Sequence, residues 1–232
     1  VTLSDNRVTG DLLTLSTGAA DFNSKNVGTA KPVSVSGIGV SGTDAGNYTF
    51  NTSASTSAGI TPANLGAGIV GNPTKTYDGT TTATLGAGNY SLIGLIGTES
   101  LTVTQTSGSY DSKDAGARIV TATLAGGHFT AGAGTLLGNY SLPTNAGGAG
   151  TIAPAALSVS ADDKTKQAGT VNPPFSASYS GFKLNDDPGS LTGSLVFATP
   201  ATITSQMVSD RITPSGLTST NYSIDFFDGI LT

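Results

Sequence analysis

The sequence predicts an all-β protein made of small modules in tandem, and three features carry that reading. Apolar residues fall in short runs, most of them alternating with hydroxyl residues. Gly, Pro, Asn and Asp interrupt those runs every few residues. Ordered motifs recur along the chain. Taken in order, Val33-Ser34-Val35-Ser36, Leu101-Thr102-Val103-Thr104, Ile119-Val120-Thr121-Ala122-Thr123, Leu157-Ser158-Val159-Ser160 and Ser194-Leu195-Val196-Phe197 read as strands. A period of two puts one face of each sheet on a core and the other in water. No amphipathic helix of ordinary length is visible. One helical turn is expected over residues 185–191, with Asp186 or Asp187 as cap and Pro188 in its first turn.

Composition narrows the function classes. Charged residues make up 11% of the 232, far below the roughly 25% of an ordinary soluble protein, and 32 glycines help fill the gap. Hydrophobic residues reach 37%, so the expected core is thin. A net charge of −5 and only ten scattered Lys and Arg exclude a nucleic-acid partner, which needs clustered cations. No apolar run approaches the ~18 residues of a membrane helix, so this segment is not expected to insert into a bilayer. Cysteine is absent, which fits either redox compartment and would spare an exported chain unwanted cross-links.

Internal repetition organises the chain. Phe22-Asn23-Ser24-Lys25-Asn26-Val27-Gly28 returns as Tyr110-Asp111-Ser112-Lys113-Asp114-Ala115-Gly116. Gly46-Asn47-Tyr48-Thr49-Phe50 returns as Gly138-Asn139-Tyr140-Ser141-Leu142, and Ile60-Thr61-Pro62-Ala63 as Ile152-Ala153-Pro154-Ala155. Three motifs in one order, about 90 residues apart, mean two copies of one domain-sized unit. A related third module carries its own Thr220-Asn221-Tyr222-Ser223-Ile224. The expected modules are residues 1–63, 64–155 and 156–232. Proline in the Ile-x-Pro-Ala segments lacks an N–H and should end one strand ladder before the next begins. Lys75-Thr76-Tyr77-Asp78-Gly79-Thr80-Thr81 has no counterpart before Phe22. The first module therefore reads as truncated at its N-terminus, and the chain as a piece of a longer one.

These motifs resemble two repeat families of bacterial exoproteins. Lys75-Thr76-Tyr77-Asp78-Gly79-Thr80, Lys113-Asp114-Ala115-Gly116 and Gly138-Asn139-Tyr140 look like a YDG repeat. The first module matches its later part through Lys25-Asn26-Val27-Gly28 and Asp44-Ala45-Gly46-Asn47-Tyr48. The third resembles an MBG (mostly bacterial Ig-like) repeat through Ala161-Asp162-Asp163-Lys164, Pro174-Phe175, Gly181-Phe182 and Leu191-Thr192-Gly193-Ser194-Leu195. Ile212-Thr213-Pro214-Ser215-Gly216-Leu217, Asn221-Tyr222-Ser223-Ile224 and Asp228-Gly229 continue the match. It departs at Lys166-Gln167-Ala168-Gly169, where a Tyr is usual before the Gly. The resemblance implies small Ig-like β-sandwich modules in an elongated array. A β-grasp-like or irregular β-rich module is the alternative, especially in the last third. It also implies a filamentous-haemagglutinin-like adhesin, exported by two-partner secretion to the bacterial cell surface. In that setting this segment is a monomeric stalk whose partners are neighbouring modules; binding of host or surface glycans or proteins is the competing role.

Several residues invite sharper chemistry. Gly66-Ala67-Gly68-Ile69-Val70-Gly71 matches the dinucleotide fingerprint, but Asn72-Pro73 follows where a helix should start. Tyr77-Asp78-Gly79 reads as a tight turn rather than a sugar-stacking site. Asn47, Asn89, Asn139, Asn221 and Asn51 head glycosylation sequons. Repetition of the Asn-Tyr-Ser/Thr units at the first four suggests instead Asn in a turn, with the next Tyr packed and its hydroxyl bonded. The pairs Asp162-Asp163 and Asp186-Asp187 lack the spaced acids of a calcium loop and read as solvated turns. His128 is the only His and Glu99 the only Glu, so a convergent catalytic site is not expected. Nor is any cofactor. A lysine cross-linked to Asn or Asp would require burial.

Overall fold

Among the described residues strand is the only extended regular element. The structure is a computed structural model that describes residues 1–205 and 209–232. Every helix among those residues is a three-residue 3-10 turn: Ala45–Asn47, Ala87–Asn89, Gly126–His128, Leu137–Asn139 and Pro188–Ser190. The protein is therefore all-β. The last of these turns is the one expected near residue 188. Asp187 caps it through an Oδ1 that accepts from the Gly189 N–H at 2.8 Å, with Pro188 next in the chain.

Contacts divide the chain into two units, and the division runs through the second repeat. The first comprises Val1–Leu65, Gly94–Leu101 and Ala131–Leu142. Its main sheet is antiparallel, in the order Ala20–Phe22, Gly28–Ser36, Ser53–Ile60. Val33 and Val35 are buried while their strand neighbours Ser34 and Ser36 are exposed, the alternation that the sequence predicts. Among the described residues the strand Ser53–Ile60 is paired along one edge only, and all of it except Ile60 is exposed. A cavity of about 680 Å³ opens beside it, lined by Val35, Val40, Phe50 and Ala54 among others. Thr14–Ser16 with Gly39–Ser41 forms a separate antiparallel ribbon, and Ala63–Asn64 pairs in parallel with Tyr140–Ser141.

The second unit comprises Gly66–Ile93, Thr102–Thr130 and Pro143–Thr232. Its larger sheet runs Tyr90–Ile93, Gly66–Ile69, Asn145–Ala153, Gly116–Thr123, Ser107–Tyr110, Thr82–Thr84, with Thr74–Thr76 also lying parallel to Asn145–Ala153. Register makes the repetition concrete. Tyr110 faces Val120 and Val120 faces Gly148, as Phe22 faces Val33 and Val33 faces Thr56 in the first unit. One extra residue in the first copy is absorbed by a bulge between Gly28 and Lys31, where Ala30 takes φ +51.

Asn145–Ala153 stops at Pro154, and the next strand starts at Ala155, so the proline breaks the ladder as expected. The remainder folds as two three-stranded sheets. One has the order Ala177–Ser180, Ala155–Ala161, Tyr222–Phe227; the other Thr192–Ala198, Asp210–Thr218, Gly229–Leu231. Leu157 and Val159 from the first and Ile212 from the second are fully buried. At the far end Phe175 and Phe197 pack on Ala161, Ala201, Ile212 and Leu231, with the two rings 5.9 Å apart.

Candidate functional site at the repeat junctions

The Gly-Asn-Tyr motif forms one local structure each time. At Asn47, Asn89 and Asn139 a 3-10 turn closes with the Asn N–H donating to the carbonyl three residues back, at 2.9 to 3.0 Å. The Tyr that follows is extended, which aims its ring inward. Gly126-Gly127-His128-Phe129 is the same device. The His128 N–H bonds the Ala125 carbonyl at 2.9 Å, and its Nδ1 accepts from the Ala125 N–H at 3.1 Å. Asn89 Oδ1 likewise accepts from Gly86 at 2.9 Å. His128 is thus a turn-capping residue, and Phe129 takes the buried aromatic place.

What the tyrosines reach was not legible in the sequence. The Tyr48 hydroxyl donates to Asp11 Oδ2 at 2.5 Å and accepts from the Val8 N–H at 2.9 Å. Tyr140 donates to Glu99 Oε2 at 2.7 Å and accepts from Ile96 at 3.1 Å. Tyr222 donates to Asp186 Oδ2 at 2.7 Å and accepts from Lys183 at 2.9 Å. In each case the acid stands three residues after the residue that offers its N–H. The weak signal was that spacing: Val8 to Asp11, Ile96 to Glu99, Lys183 to Asp186. Tyr90 is the exception and donates to the Gln105 carbonyl at 2.9 Å.

Two of these latches also grip the preceding repeat. Asn139 Oδ1 accepts from the Val27 N–H at 2.9 Å while its Nδ2 donates to Asn26 Oδ1 at 3.1 Å. Asn221 repeats this on the next copy, accepting from Ala115 at 2.8 Å and donating to Asp114 Oδ1 at 3.1 Å. The acid takes a further donor from the same neighbour. Lys25 Nζ pairs with Glu99, and the Tyr77 hydroxyl donates to Asp186 Oδ2 at 2.8 Å. Each set of contacts lies within one of the two units.

Tyr77 is buried to 1% exposure, so its ring is unavailable for stacking on a sugar. It meets Tyr222 edge-on at 5.4 Å, and Tyr222 meets Phe182 edge-on at 5.6 Å. Asp78-Gly79 forms the expected turn: Asp78 Oδ1 accepts from the Thr80 N–H and hydroxyl at 2.9 Å each, and Gly79 takes φ +79. Lys75 Nζ donates to Asp78 and to the Thr80 carbonyl at 2.7 Å each, and sits 5.5 Å from the centre of the Tyr110 ring. Half of the Asp78 side chain is exposed, so this Lys–Asp pair lacks the burial that a cross-link requires.

Electrostatics follow the bonds. The Asn221 amide and the Ser112 hydroxyl hold Asp114 below the usual carboxylate range against the opposing pull of burial. Lys25 and then Tyr140 lower Glu99. Burial first, and the Asp186 carboxylate second, push the Tyr77 and Tyr222 phenols up.

The remaining candidates are absorbed by structure. Gly66–Ile69 is a strand, and Asn72-Pro73 leads into another, so the glycine fingerprint has no helix to cradle a phosphate. Asp162 accepts from the Ser176 and Ser178 hydroxyls at 2.6 and 2.7 Å, and Asp163 accepts from the Ile230 N–H at 2.7 Å. Among the described residues no group of three or more His, Cys, Asp or Glu converges. Of the sequon amides, those of Asn89, Asn139 and Asn221 are engaged, whereas Asn47 and Asn51 are exposed with no side-chain bond among the described residues.

Fold and junctions together define a tandem β-repeat protein. The family model described as YDG domain matches residues 1–58 and 61–147, and that described as MBG domain (YGX type) matches 157–232. The chain belongs to the YDG domain family and carries an MBG domain behind its YDG repeats. No curated protein and no solved structure matches it.

Proposed function

We propose that this chain is a non-catalytic structural segment of a secreted bacterial surface adhesin, spacing a distal binding domain from the cell. The observation that carries the reading is the recurrence of one Asn–Tyr–acid latch, used twice to grip the preceding repeat. Polar side chains that a binding or catalytic site would hold free are here committed to joining repeats. The placement in a filamentous-haemagglutinin-like protein exported by two-partner secretion rests on the resemblance of the repeats. In this reading the chain is monomeric, neither enters a membrane nor binds nucleic acid, and takes neighbouring repeats as its partners.

Glycan-array and cell-binding assays on the isolated chain test the proposal. A spacer gives no saturable binding. Saturable binding abolished by one loop substitution would instead assign a glycan- or protein-binding role to the repeats themselves.

A further inference from the structure

In both repeats of the second unit the incoming strand lies parallel beside the outgoing one. In the YDG repeat Thr74, Lys75 and Thr76 face Thr151, Ile152 and Ala153, after Gly68 has faced Gly147. The Thr151 N–H donates to the Pro73 carbonyl at 3.0 Å and the Tyr77 N–H to the Ala153 carbonyl at 2.7 Å, extending the ladder at both ends. In the MBG repeat six consecutive pairs run from Ala155–Tyr222 to Ser160–Phe227. Further along, the Lys164 and Lys166 N–H groups donate to the Ile230 and Thr232 carbonyls at 2.8 Å, and Thr232 donates back to Lys164 at 2.9 Å.

Adjacent parallel strands have the start of one and the finish of the other at opposite ends. Tension entering at the first strand and leaving at the last therefore slides one along the other and loads every bond between them together. Strands pulled apart from one shared end instead lose their bonds one after another. We infer that these parallel pairs are shear clamps and that the second and third repeats bear tensile load. Among the described residues Ser53–Ile60, which corresponds to Asn145–Ala153, pairs with Gly28–Ser36 alone, so the inference concerns the second and third repeats only.

Sequence differences at equivalent positions agree. A Cβ on Gly148 would collide with the Ile69 carbonyl oxygen, and one on Gly150 would stand 3.0 Å from that of Pro73. Only glycine lets the incoming strand approach so closely. The first repeat has Thr56 and Ala58 at those positions.

The inference rests on the spacer reading and is tested without any ligand, by single-molecule pulling on the full chain. Because the chain contains no Cys, two introduced thiols define where force is applied. Exposed positions Ala156→Cys with Phe227→Cys pull the MBG clamp in shear; Ala156→Cys with Ser223→Cys peel it from one end. At equal loading rate the shear pair should unfold at several-fold higher force, and each pair should release at most about 250 Å of chain. Equal forces for the two pairs would overturn the clamp. Pulled from its termini, the chain should give one high-force event for each of the two clamped repeats; unfolding without such events would overturn the clamp. Neither readout depends on whether the repeats bind a glycan, so failure of the spacer reading would register only in the binding assays.

Discussion

Asn221 commits both ends of its amide to the preceding repeat, accepting from Ala115 and donating to Asp114. Truncating it to Ala removes both bonds and leaves the Ala115 N–H without its acceptor. A buried-edge loss of this kind, with one partner charged, costs about 1–2 kcal/mol, and urea unfolding should show it as a lowered midpoint. The same variant should return Asp114 toward the ordinary carboxylate range, because the Asn221 bond is the main influence lowering it. Carboxyl NMR shifts followed through acid pH would record that return. Half of this arrangement is legible in the sequence. Repetition of Asn-Tyr-Ser/Thr pointed to a turn with a packed, bonded tyrosine, and that is what each copy makes. The partners lay out of reach, since Asn221 and Asp114 are 107 residues apart in sequence and no local pattern links them. His128 has a local role that its sequence context does not announce. Its ring Nδ1 accepts from the Ala125 N–H as the Asn89 Oδ1 accepts from Gly86.

At the scale of strands, alternating Val-Ser and Val-Thr runs were easily read, because a sheet with one wet face imposes a period of two. Gly147-Gly148-Ala149-Gly150 carries none of those signals, yet it lies within the strand Asn145–Ala153. Its small residues mark backbone approach from a neighbouring strand rather than a loop. This distinction makes a paired prediction. Gly150→Val places atoms against Val120 Cγ2, Tyr110 Cε1 and the Pro73 carbonyl, at 2.5 to 3.0 Å from the Cβ alone. It should destabilise by roughly 1–3 kcal/mol. Ala58→Val, at the matching place on the exposed strand of the first repeat, should change stability by less than about 0.5 kcal/mol. Thermal unfolding of the two variants side by side decides it. Two equal losses would mean that the strands are not distinguished by what covers them.

For the molecule as a whole, the latches set a pH window. Glu99 and Asp114 fall below their ordinary values of 4.5 and 3.8, so their contribution is complete above those values, declines below them and is gone once pH has fallen through the lower folded-state values. Tyr77 and Tyr222 rise above the ordinary 10.0, so theirs is complete below that value, declines above it and is gone once pH has climbed through the raised folded-state values. Melting temperature should be flat between about pH 5 and pH 10 and should drop on both sides. Tyr77→Phe should blunt the alkaline drop and leave the acid one in place.

That neighbouring repeats are locked by side chains, and not merely threaded on one chain, is the claim on which the spacer reading depends. A double-mutant cycle of Tyr77→Phe and Asp186→Asn, measured by urea unfolding, tests it most directly, because these residues belong to different repeats and meet through one hydrogen bond. The lock predicts a coupling energy of roughly 1 kcal/mol or more. Additive losses, with coupling indistinguishable from zero, would contradict it.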